Sequence, residues 1–193
     1  EKGLDAANMD DVARAAQLGK GTLYLYFQDK EDLVLGVALR RQRALLRAFE
    51  PHLSEPPLTR LRRLFAIYVE HLRTPDEHLR MVMLRWAGCR GFDDERSNAE
   101  PMRDKIRHTY GIFCEAIEEG QRDGSIRADL PAQRLTLQLW SSVNGWLLMQ
   151  LQLPLMPSEL KQAVPDFDEQ LELLLDAIQT PAPRESLTRG GAA

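Results

Sequence analysis

Apolar side chains recur along this chain at intervals of three and four, the spacing that puts them on one face of a helix, and polar punctuation separates the stretches. Asn8 is placed to cap a short helix over about Met9–Ala16, with Asp11 in its third position. Gln17-Leu18-Gly19 leaves a break of three residues. Lys20–Phe27 then reads as a second short helix, with Leu23 and Phe27 four apart on one face. Asp29, with Asp32 three residues on, caps a long helix over about Lys30–Phe49, whose expected apolar stripe is Leu33, Val37 and Leu45. Pro51, Pro56 and Pro57 interrupt the pattern and mark a junction. Beyond it, Leu61, Leu64, Phe65, Tyr68 and Leu72 predict a helix from Leu58 to near Thr74-Pro75. Further helices are predicted over about Glu77–Arg90, Pro101–Arg122, from Asp129 and Pro131 to near Gln152, and Asp166–Gln179. Gly124 can stop the second of these by turning left-handed. The tail from Thr180 is expected to be disordered.

Composition agrees with an all-α fold. Leucine occurs 31 times against 13 for valine and isoleucine together, a bias away from the β-branched residues that suit strands. With 193 residues the chain is long enough for a sizeable core. No apolar run approaches the roughly 20 residues that span a bilayer, and Glu1-Lys2-Gly3-Leu4 has no signal-peptide pattern, so a cytoplasmic location and no membrane partner are expected. Cys89 and Cys114 lack metal-ligand or disulfide-framework spacing. Residues 1–50 carry eight Lys or Arg against eight acids, so the net charge of −4 lies wholly in the remainder. Overall charge therefore neither advertises nor excludes a nucleic-acid partner, because only the cations that meet phosphates count.

Two short helices joined by a three-residue turn form the pattern of a helix-turn-helix, whose second helix enters the DNA major groove. Three stretches sharpen it: Met9-Asp10-Asp11-Val12-Ala13-Arg14-Ala15-Ala16, Lys20-Gly21-Thr22-Leu23-Tyr24-Leu25-Tyr26-Phe27 and Asp29-Lys30-Glu31-Asp32-Leu33. Together they closely resemble the signature of the tetracycline-repressor (TetR) family over about 30 positions in one register. The resemblance implies a homodimeric transcriptional regulator, usually a repressor, with a three-helix DNA-binding domain and a larger effector-binding domain. It also implies a first helix that is expected to be missing here, leaving Leu4, Val12, Leu23 and Phe27 short of part of their core. The chain departs from the pattern at Gln17, where glycine is usual in the turn, at Gly19, where a serine cap is usual, and at Leu25, where a polar residue is common.

The expected domains are 1–50 for DNA binding and the connecting helix, 51–179 for effector binding and dimerisation, and a tail over 180–193. Lys20, Gly21, Thr22 and Tyr24 are expected on the outward side of the reading helix, where small or hydrogen-bonding groups approach bases and phosphates. Tyr26 and Lys30 are expected phosphate anchors. Phe65, Tyr68, Met81, Trp86, Tyr110, Phe113, Cys114 and Trp140 are candidates to line an apolar effector site, with Asn144 as its polar member. Leu137, Ser141, Gly145 and Leu148, together with Leu171, Leu174, Leu175 and Ile178, are the expected faces of a four-helix dimer interface. Two reading heads would require a near-palindromic duplex. Gly19-Lys20-Gly21-Thr22 lacks the spacing of a phosphate loop, HExxH and GxSxG are absent, and no cluster has metal-ligand spacing, so neither catalysis nor a cofactor is expected. The alternative function is a helical dimer that binds another protein and has only vestigial DNA contacts.

Overall fold

A computed structural model describes residues 8–73 and 98–180. Among these residues the elements are α1 (Met9–Ala15), α2 (Lys20–Tyr26), α3 (Lys30–Phe49), α4 (Pro57–Arg73), α5 (Ala99–Asp123), α6 (Ala132–Gln152), α7 (Ser158–Ala163) and α8 (Phe167–Ile178), with single 3-10 turns at Glu50–His52 and Leu153–Leu155. The one β-type contact among them is an isolated bridge between Ile126 and Gln179. No described helix is long and apolar enough to cross a membrane. The expected helix over 77–90, Leu4 and the tail beyond Thr180 lie outside the described residues.

The caps read from the sequence at Asn8 and Asp29 are formed. Asn8 Oδ1 accepts the Asp11 N–H at 2.8 Å, and Asp29 Oδ1 accepts that of Asp32 at 2.8 Å. Asp166 makes a reciprocal capping box with Glu169 at the start of α8. Gln17 carries the turn at φ 56°, the left-handed conformation that glycine adopts at less cost. Gly124, at φ 83°, ends α5. Asp129 does not cap α6. Its carboxylate instead takes two bonds from the Arg127 guanidinium, and Pro131 stands at the cap position. The six-residue α7 was not anticipated, since it is too short to show a period.

Two hydrophobic clusters result. Met9, Ala13 and Leu23 are buried together, with Val12, Phe27 and Leu33 packed around them. The larger cluster runs from Leu45 and Phe49 through α4, α5, α6 and α8. The long α3 links the two, packing on α4 and α5. Its buried apolar positions are Val34, Leu39, Leu45, Leu46 and Phe49, whereas Val37 is exposed. The expected stripe through Val37 is therefore corrected: α3 turns the face containing Val34 inward, and Leu33 sits at its margin.

Candidate functional site

Leu23 anchors α2 to the small cluster, and its neighbours consequently face outward. Lys20, Gly21, Thr22, Tyr24, Leu25 and Tyr26 are all exposed, Leu25 at 82% and Tyr26 at 71%. Gly19 caps the helix through its carbonyl, which accepts from the Thr22 N–H at 3.0 Å, without a side-chain bond. This leaves a small residue where the helix would meet a duplex. Lys20 Nζ is paired with both carboxylate oxygens of Asp10, at 2.7 and 3.0 Å, and lies 5.9 Å from the centre of the Tyr24 ring. The bond to Asp10 raises its pKa, so Lys20 stays cationic. Lys30, half-buried, opens α3 beside the Asp29 cap.

The sequence reading missed the role of Asp32. It is fully buried and joins the start of α3 to Asn98, which precedes α5. Nothing local distinguishes it from any other acid in the first turn of a helix.

In the larger cluster the expected effector residues meet. Phe113 is the hub: its ring lies 4.4 Å from Phe65, 5.7 Å from Phe49 and 5.4 Å from Trp140, the last two edge-on. Tyr68 stacks at 4.9 Å on Trp140 and donates its hydroxyl to Asn144 Oδ1 at 3.0 Å. The Asn144 amide in turn donates to the Trp140 carbonyl at 2.7 Å. Burial pushes the Tyr68 hydroxyl well above the ordinary phenol range, so it remains a neutral donor. Burial also raises the Cys114 thiol, disfavouring the reactive thiolate. Tyr110 stands at the margin, its hydroxyl donating to the Gln133 carbonyl at 2.7 Å. Met81 and Trp86 lie outside the described residues.

The expected dimer faces divide. Leu137, Ser141, Gly145 and Leu148 all face solvent along α6, and Met149 joins them. A Cβ on Gly145 would meet nothing within 4 Å, so this face is open to close approach. On α8, however, Leu171, Leu175 and Ile178 are buried in the chain's own core, and Leu174 packs against it. Within this chain Leu171, Leu175 and Ile178 cover the core between α4 and α6, while Leu174 stays partly exposed and Leu173 is the exposed large apolar residue of α8.

Residues 1–37 match the profile described as "Bacterial regulatory proteins, tetR family". The chain is similar to the HTH-type transcriptional repressor DhaR of Mycobacterium sp. (strain GP1), at 30% identity over 163 residues, or 77% of this chain and 74% of that protein. It is also similar to the fatty acid metabolism regulator protein of Bacillus subtilis (strain 168), at 21% identity over 150 residues and 77% of each chain. Among solved structures, the transcriptional regulator FadR from Bacillus subtilis in complex with stearoyl-CoA superposes with a TM-score of 0.71, covering 92% of this chain and 91% of that one at 16% identity. The reading helix, the helical architecture and the extent of the likeness to DhaR agree: this chain belongs to the tetR family of bacterial regulatory proteins and is a DNA-binding regulator of transcription.

Proposed function

We infer that the chain is a homodimeric repressor that holds a near-palindromic operator until an apolar effector releases it. The observation that carries this reading is the pairing of an outward reading face on α2 with a buried aromatic cluster, the two linked by the single helix α3. Residues 1–50 serve DNA, 51–179 the effector and the dimer, and the protein works where its DNA is, in the cytoplasm. Lys20, Gly21, Thr22 and Tyr24 contact bases and adjacent phosphates, and Tyr26 and Lys30 anchor the backbone. The exposed α6 face, through Leu137, Ser141, Gly145 and Leu148, supplies the twofold contact.

The proposed effector class is a long-chain acyl thioester or the acid derived from it. Two observations support this: the aromatic side chains around Phe113 suit an alkyl chain, and the similar FadR structure holds stearoyl-CoA. An effector shifts the equilibrium only by its differential affinity for the released state. The test is to add stearoyl-coenzyme A, stearate or coenzyme A alone to the protein bound to a duplex enriched from a random pool. Release by the first or second but not the third is expected. Undiminished DNA binding at saturating concentrations of both acyl probes would remove this effector class.

A further inference from the structure

The Asp32 carboxylate, 0% exposed in the first turn of α3, accepts hydrogen bonds both from the link just before it and from a stretch 66 positions away. Oδ2 accepts from the Gln28 backbone N–H at 3.1 Å, fixing the link that follows α2. Oδ1 accepts from the Asn98 backbone N–H at 3.1 Å and from the Asn98 side-chain amide at 3.0 Å, and the same amide reaches the Asp32 carbonyl at 3.3 Å. Asn98 occupies the cap position of the 25-residue α5 yet makes no side-chain cap of its own, because its amide is turned to Asp32. A buried carboxylate keeps its charge only where donors replace water, and the free amides at a helix N-terminus add a favourable field. Gly36 completes the joint. A Cβ there would stand 2.8 Å from the Phe27 ring and 3.3 Å from the Asn98 amide, so only glycine lets both come this close. The end of the reading helix, the first turns of α3 and the start of α5 thus meet at one point.

The geometry points to Asp32 and Asn98 as the positioning contact through which α5 sets the orientation of the reading unit. The inference rests on the proposed function, because α5 also carries Tyr110, Phe113 and Cys114 of the effector site. A helix that shifts or rotates at Phe113 carries Asn98 with it. Hydrogen bonds of about 3 Å are lost within a displacement of roughly 0.5–1 Å. Asp32 must then follow α5 or stay buried without the two donors that Asn98 supplies. Following is the cheaper response, since among the described residues the hydrophobic cluster of the reading unit is small, with Met9, Ala13 and Leu23 at its centre.

Amide hydrogen exchange on the full chain, with neither DNA nor effector, tests this. Asn98→Ala removes only a half-buried amide and should speed exchange across 9–27 about tenfold, leaving 57–73 and 110–147 unchanged. Asn98→Asp sets a second carboxylate against Asp32 and should speed it further. Asp32→Asn keeps the shape but sets an amide in place of one acceptor oxygen, facing either the Asn98 or the Gln28 backbone N–H, and should also speed exchange across 9–27. Acceleration confined to the first turn of α5, an equal change in every helix, or unchanged exchange in Asp32→Asn would overturn the inference. Its failure would leave the operator and effector reading intact, and a failed release experiment would leave this contact intact.

Discussion

Lys20 Nζ lies 2.7 Å from Oδ1 of Asp10, so the cation that opens the reading helix is already engaged by a carboxylate of the preceding helix. Both partners are at least half exposed, which makes the pair weak as a source of stability but well placed as a competitor of phosphate. Asp10→Asn should therefore tighten binding to any duplex by about three- to tenfold and steepen the salt dependence by roughly one counterion. Titrations at several salt concentrations measure both. Weaker binding by the variant would show that Asp10 holds Lys20 in its working position instead.

Tyr24 and Lys30 should differ in kind. Tyr24→Ala is expected to cost about 1–3 kcal/mol on the preferred duplex and little on random DNA, whereas Lys30→Ala should weaken both alike. Competition binding on matched and scrambled duplexes separates the two. Equal losses on every sequence for both variants would contradict the assigned roles.

The Tyr68 hydroxyl and Asn144 satisfy one another within an aromatic surround. Tyr68→Phe should destabilise the fold by about 1–3 kcal/mol, because it leaves the Asn144 oxygen without its donor. Adding Asn144→Leu should recover much of that loss. Urea unfolding of the single and double variants checks this, and a double variant less stable than Tyr68→Phe would contradict it.

Gly120 is required by contact. A Cβ there would stand 2.5 Å from Ile126 Cδ1 and 2.6 Å from its Cγ1, while the Ile126 N–H is bonded to the Gly120 carbonyl at 2.9 Å. Gly120→Ala gains about 1 kcal/mol of helix propensity but should still lose about 1–3 kcal/mol net through overpacking. Trimming the neighbour, in Gly120→Ala with Ile126→Ala, should relieve the steric part, as thermal melts would show.

Most of the helices were legible because each rule involved is local. Asn8 and Asp29 announce helix starts through side chains that reach only three residues ahead, and Gly124 announces a stop through its own backbone. The outward face of α2 follows from Leu23 and Phe27 being its apolar pair. What was not legible depends on distant partners. An amphipathic stripe tells that Leu171, Leu175 and Ile178 are covered, not whether their own chain or a second copy covers them. Asp32 reads as one more acid in a first turn until Asn98, 66 positions away, arrives to bury it. Val37 falls at helical spacing from Leu33, yet α4 and α5 decide which side of α3 turns inward.

The central claim is that the exposed face of α2 reads a specific twofold sequence. Selection from a random duplex pool at about 150 mM salt, where nonspecific phosphate attraction is largely screened, tests it most directly. Enrichment of one near-palindromic site, lost in Tyr24→Ala, is the expected result. A folded chain that enriches no sequence, or enriches the same site without Tyr24, would contradict the account.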